Sequence, residues 1–128
     1  VVATPEDDER SAAVADLEAD GHAVLGTATD VTSEDDLAKM VAATLDRFGR
    51  IDILVNNAGI IGPTALVQDV QRHEWEAVMD VNVTGVYLCC KAVLLPSTAF
   101  GKNISEDSMQ FRFDSKVRGE VVRAPPLM

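Results

Sequence analysis

The sequence predicts an α/β fold on a doubly wound parallel sheet, and two observations carry that prediction. Over the first three-quarters of the chain, short apolar runs rich in β-branched residues alternate with helical periods, in the order strand–helix–strand–helix–strand–helix. One run, residues 51–55, is apolar at every position except Asp52. A strand apolar on both faces belongs in the middle of a parallel sheet covered by helices.

The elements follow in order. Val1, Val2 and Ala3 form a short first strand, closed by the turn-like pair Thr4-Pro5. A helix is expected from about Asp7 to Ala19, with Ala13, Val14 and Leu17 inward, and Asp20-Gly21 ends it because glycine takes a left-handed C-cap cheaply. Residues 23–27 read as a second strand leading to Asp30-Val31. The next helix has the clearest signal. Thr32 and Ser33 are cap candidates, and Glu34, Asp35 and Asp36 place negative charge in its first turn, where the helix dipole favours it. Leu37, Met40, Val41, Thr44, Leu45 and Phe48 fall on one stripe, and Gly49 stops the helix. After the third strand (51–55) come Asn56-Asn57-Ala58-Gly59, a loop with Gly62-Pro63, and a long helix from about residue 74 to 94. From Pro96 the periodicity ends. Residues 96–128 read as an irregular tail with one short strand signal at Glu120, Val121 and Val122.

Composition narrows the classes. Eleven Lys+Arg against 21 Asp+Glu give a formal charge of −10 in 128 residues, which argues against binding a nucleic-acid backbone, since that affinity rests on clustered cations. No uninterrupted apolar run approaches the roughly 20 residues of a bilayer span, so no membrane partner is expected. The two cysteines, Cys89 and Cys90, are adjacent and offer no disulfide framework, which fits a cytoplasmic setting. His22 and His73 stand apart from Cys or acid clusters, so no metal site is expected.

Ligands of open α/β sheets bind outside the carboxyl ends of the strands. Three features fall there: Asp30 after the second strand, Asn57 with Ala58-Gly59 after the third, and Asn82 on the last helix. A small residue followed by glycine lets a ligand approach the backbone without meeting a Cβ, although the same four residues also make an ordinary turn. Asn82 shares a helical stripe with Val78, Met79 and Val86. Its amide needs partners there, either catalytic or simply backbone. Gly85 costs about 1 kcal/mol of helix stability relative to alanine and points to close backbone packing.

Three segments, Asp30-Val31-Thr32, the run from Phe48 to Gly59 containing Asn56-Asn57-Ala58-Gly59, and Val81-Asn82-Val83-Thr84-Gly85-Val86, strongly resemble the short-chain dehydrogenase/reductase family over about residues 1–95. The resemblance implies a partial Rossmann-like domain, with NAD or NADP as cofactor and a small alcohol or carbonyl as substrate. By that resemblance Asp30 and Val31 border the adenine ring. Asn57, Ala58 and Gly59 line the ribose and nicotinamide side, and Asn56 braces the sheet. Asn82 is the catalytic asparagine that holds a water in the proton relay to the active-site lysine. The full-length parent is expected to be a homo-oligomer.

The chain departs from the family pattern in several places. Its eight glycines include no Gly-x-x-x-Gly-x-Gly arrangement, so the pyrophosphate cradle at a helix N-terminus is missing. Tyr87 and Lys91 match Tyr-x-x-x-Lys as text, but they lie on the same helix as Asn82, and the resemblance places the catalytic pair on the following helix. They read as structural. None of Ser97, Ser105, Ser108 and Ser115 has the context of a catalytic serine. The family's central first strand has no counterpart here. Either the chain is marginally stable, or the strand from Ile51 slides in beside Val1. The region Thr4-Pro5-Glu6-Asp7-Asp8, with no Lys or Arg until Arg10, would repel a 2′-phosphate, which mildly favours NAD. The expectation is therefore a fragment of an NAD(P)-dependent oxidoreductase, inactive alone. The alternatives are a non-catalytic scaffold or dimerisation module of the same fold and, least favoured, a phospho-receiver domain.

Overall fold

The computed structural model describes residues 1–94. The irregular tail, the strand signal at Glu120, Val121 and Val122, and the four downstream serines lie outside the described residues.

Strand β1 (Val2–Ala3) pairs in parallel with β2 (Gly26–Thr27), in the register Val2 with Gly26 and Ala3 with Thr27. The ladder extends through the backbone N–H of Val2 donating to Leu25 O at 2.8 Å and Thr29 N–H donating to Thr4 O at 3.3 Å. Helix α1 (Asp7–Ala19) makes the crossover between them. It ends as expected: Gly21 has φ +85°, its N–H donates to Glu18 O at 2.9 Å, and His22 N–H donates to Leu17 O at 3.1 Å. Those paired bonds satisfy the last carbonyls of the helix. The predicted inner face is shallower than expected. Ala13 and Val14 are half-buried, and Leu17 is exposed. What seats α1 is Gly26, where a Cβ would come within 3.0 Å of Val14 and 3.2 Å of Arg10.

Helix α2 (Glu34–Phe48) matches its prediction closely. Ser33 Oγ accepts from Asp36 N–H at 3.2 Å, and Gly49, at φ +76°, closes the last turn by donating to Leu45 O. Leu37, Val41 and Thr44 are buried. Leu37 joins Leu88 and Cys89 in the core, with Val31, Met40, Leu54 and Ala92 packed around them. The expected last helix is a continuous rod from Arg72 to Leu94: α3 (Arg72–Met79), one π-helical turn (Asp80–Thr84), then α4 (Gly85–Leu94). Glu74 caps its start by accepting from Gln71 N–H at 2.8 Å.

Three expectations need correction. The second strand is limited to Gly26–Thr27 because only those residues lie in register opposite β1. Residues 51–55 form no strand. Leu54 reaches the core, but Ile53 is 81% and Val55 75% exposed, and the segment neither slides in beside Val1 nor joins another ladder among the described residues. An apolar run becomes a strand only when neighbouring backbone can pair with it. Finally, the 23-residue rod from Arg72 to Leu94 is, by length and composition, long and apolar enough to cross a bilayer. Counting uninterrupted apolar residues missed it because Asp80, Asn82 and Lys91 break the run. In the fold, Leu88, Cys89 and Val93 of this rod are buried.

Candidate functional site

Three loops leave the carboxyl-terminal side of the α/β layer, and the helical stretch 80–85 touches two of them. After β2, Thr29 is almost fully buried, with its hydroxyl donating to Thr27 Oγ1 at 3.1 Å. The next residue turns the chain. Asp30 Oδ1 accepts from Thr32 N–H at 2.8 Å and from the Thr32 hydroxyl at 2.7 Å, while Asp30 N–H donates to Asp36 at 3.3 Å. The two bonds from Thr32 hold the Asp30 carboxyl below its ordinary value. Asp30 is exposed, whereas Val31 turns inward against the core.

Asn82, within the π turn, grips the second loop. Its Oδ1 accepts from Ile60 N–H at 2.8 Å, and its Nδ2 donates to Ile60 O at 2.9 Å. Two hydrogen bonds to a single residue, one on each of its flanking peptide groups, fix the position and orientation of Ile60. The half-buried amide is thus satisfied by backbone, one of the two outcomes left open from sequence. Gly59 belongs to the same contact: a Cβ there would stand 3.3 Å from Asn82 Oδ1. Asn56 Nδ2 donates to Cys90 Sγ at 3.6 Å, and Gly62 faces Val78 Cγ2 so closely that a Cβ would sit at 3.1 Å. The loop is therefore fastened to the last helical rod at three points, while Asn57 and Ala58 stay exposed between them. A π turn is rare and often marks a functional site. Here it carries Asn82.

The third loop follows β1. Arg10 folds back from α1 and donates through Nη1 to Thr4 O at 2.9 Å, and it pairs with Asp7. Glu6 accepts from the Thr4 hydroxyl at 2.5 Å, which lowers its pKa. The one cation near this strand end is thereby engaged with backbone and carboxylate. The sequence shows Arg10 only as the first cation after the acidic stretch, and its engagement with Thr4 O six residues back left no pattern.

Of Tyr87 and Lys91, the lysine is engaged by an acid on another helix. Tyr87 is 59% exposed. Lys91 Nζ lies 3.1 Å from Glu34 Oε2, joining α4 to α2, and that bond raises its pKa. Next to them, burial with a further contribution from Cys90 pushes the Cys89 thiol up to about 11, so it stays protonated and acts as a small apolar core residue.

Around the 80–85 stretch, then, the fold brings together Val31, Gly59 and Asn82, residues far apart in sequence. A family profile described as short chain dehydrogenase matches residues 1–104. The chain belongs to the short-chain dehydrogenase family. It is 44% identical over 82 residues to a 3-oxoacyl-[acyl-carrier-protein] reductase of Synechocystis, covering 64% of this chain and 33% of that protein. To a (2S)-[(R)-hydroxy(phenyl)methyl]succinyl-CoA dehydrogenase subunit of Thauera aromatica it is 43% identical, with the same coverage. Among solved structures it resembles NAD+-bound xylitol dehydrogenase (TM-score 0.71, 33% identity, 74% of this chain and 36% of the other). It also resembles an F189W actinorhodin polyketide ketoreductase with NADPH (TM-score 0.69, 32% identity, 73% and 35%). The chain thus spans about a third of the length of these short-chain dehydrogenases. The partial doubly wound, Rossmann-like architecture is established by these neighbours. What sequence reading had not identified is the partner of Asn82, the Ile60 peptide, and the partner of Gly85, which is Val31.

Proposed function

We propose that this chain is the nucleotide-binding portion of an NAD(P)-dependent oxidoreductase acting on a small alcohol or carbonyl compound, and that it does not turn over substrate by itself. The observation that carries the reading is the double hydrogen bond from Asn82 to Ile60, which holds the Asn57–Gly59 backbone open and exposed beside the π turn. Asn57, Ala58 and Gly59 offer that backbone to the ribose and nicotinamide side, and Gly59 leaves room where a Cβ would crowd Asn82. Asp30 and Val31 offer an edge to the adenine. The nicotinamide, when bound, exchanges a hydride with substrate carbon. Of the protein groups that such chemistry needs, Asn82 is the one found among the described residues. Its amide keeps one N–H and one lone pair beyond the Ile60 bonds, enough to hold a water for a proton relay completed elsewhere in the whole protein. Tyr87 and Lys91 are not that relay.

NAD is favoured over NADP, because Arg10 is already bound to Thr4 O and Asp7 while the Glu6 carboxylate faces the same strand end. The cysteines, one buried and both free, fit a reducing, cytoplasmic setting. The direct test is ligand-observed NMR of the 128-residue chain with NAD and with NADP. Binding of NAD, weakened by Asn82→Ala, supports the reading. Absence of binding to either nucleotide overturns it. No reduction of NAD by added alcohols is expected from this chain.

A second reading, a scaffold or dimerisation module, is favoured by one observation. Trp75, Val83 and Tyr87 lie exposed along the last helical rod, and single-sided apolar exposure of that kind marks association surfaces. Analytical ultracentrifugation separates the two: a stable dimer with no nucleotide binding selects the scaffold.

A further inference from the structure

Gly85 has regular right-handed helical backbone angles, φ −57° and ψ −43°, so glycine's conformational freedom is not the reason for it. The reason is space. A Cβ on Gly85 would stand 2.8 Å from Val31 Cγ2 and 3.3 Å from Val31 Cβ, distances at which one side must move. Val31 has little freedom to do so. Its side chain is β-branched and stiff about χ1, it packs against Leu37, Leu88 and Cys89, and its backbone lies between Asp30 and Thr32, whose hydrogen bonds fix the turn. The depth at which Val31 seats is therefore set from the helix side by the missing side chain of Gly85.

We propose that Gly85 is a positioning residue for the adenine-side wall of the nucleotide site: by letting Val31 seat against α4, it places the edge on which an adenine ring lies. This rests on the nucleotide reading above. Asn82, three residues earlier on the same rod, holds the nicotinamide-side loop, so the stretch 80–85 registers both halves of the site through separate contacts. Gly85 governs the adenine half.

The test compares the 128-residue chain with Gly85→Ala, Val31→Ala and the double variant, using AMP and nicotinamide mononucleotide as separate probes in ligand-observed NMR, with thermal unfolding alongside. Gly85→Ala should weaken AMP binding by about tenfold, the scale of an overpacked methyl, and leave nicotinamide mononucleotide binding unchanged. Val31→Ala in the Gly85→Ala background should recover thermal stability, because it removes the γ-methyl that collides, but not AMP binding, because Val31 itself forms the adenine edge. Should Gly85→Ala fail to fold, the double variant carries the test, since it must fold and bind nicotinamide mononucleotide as the unaltered chain does while binding AMP more weakly. Equal loss of both probes, no recovery of thermal stability by Val31→Ala, or a double variant that also fails to fold overturns the proposal. If the unaltered chain binds AMP and Gly85→Ala binds it equally well, only this proposal falls. If the unaltered chain binds neither AMP nor NAD, the nucleotide reading falls with it.

Discussion

Residues 23–27 and residues 51–55 are both largely apolar stretches that enter a loop carrying candidate site residues, yet they end in different structural states. Gly26 and Thr27 lie in a parallel ladder with Val2 and Ala3. Residues 51–55 reach the core through Leu54 alone and leave Ile53 and Val55 in solvent. Intrinsic preference does not account for the difference, since Ile and Val favour strands more than Gly does. The first stretch has backbone alongside it in register; the second has none among the described residues. The loop after each is nevertheless well fastened: Asp30 holds its own turn through Thr32, whereas the loop after 51–55 is held from outside by Asn82. A loop can thus be positioned by one helix even where its strand is unpaired.

The widest gap between the regions should appear on truncating one buried and one exposed side chain. Leu37→Ala, at a residue 1% exposed, should cost about 2–5 kcal/mol, while Ile53→Ala should fall within about 0.5 kcal/mol of the parent. Urea denaturation followed by circular dichroism measures both, and similar midpoints for the two variants would break the comparison.

Next in size, Asn82→Ala removes both bonds to Ile60 and should cost about 1–3 kcal/mol. The sharper readout is hydrogen exchange. Protection of the Ile60 N–H should disappear while that of the β1–β2 ladder persists. Equal loss in both places would show that the loop has no separate fastening.

Ser33→Ala tests the better-formed region alone and should lower stability by about 1 kcal/mol by exposing the first turn of α2; a thermal melt suffices. The smallest effect concerns pH. Asp30 has a folded pKa below its unfolded value because Thr32 donates to it twice. Its contribution is therefore present above the unfolded carboxylate pKa and is lost as pH falls through the folded one. Asp30→Asn should flatten the acid limb of the stability profile slightly, and a carboxyl-detected NMR titration of the parent should place Asp30 below the ordinary aspartate value.

Much of the fold was legible because its signals are local. Ser33 caps α2, Gly21 and Gly49 take positive φ at helix ends, and the stripe through Leu37 and Val41 faces the core as its spacing required. Asn82 was legible as an amide on an apolar stripe, and Gly85 as a glycine that a helix has reason to avoid. Their partners were not. Ile60 lies 22 residues from Asn82, and nothing in a periodicity says which peptide an amide will hold. The engagement of Arg10 with Thr4 O was missed for a related reason, since a long side chain folding back on its own strand leaves no pattern.

Taken alone, the sequence determined the helices, their ends and the family, because capping, periodicity and the Asn-Asn-Ala-Gly block act over a few neighbouring residues. Tertiary structure decided which apolar runs became strands, that the last helix takes a π turn at Asn82, and that Val31 and Gly59 meet the same stretch of helix. Those outcomes depend on backbone partners and on free space, and a chain acquires both only once distant segments are packed together.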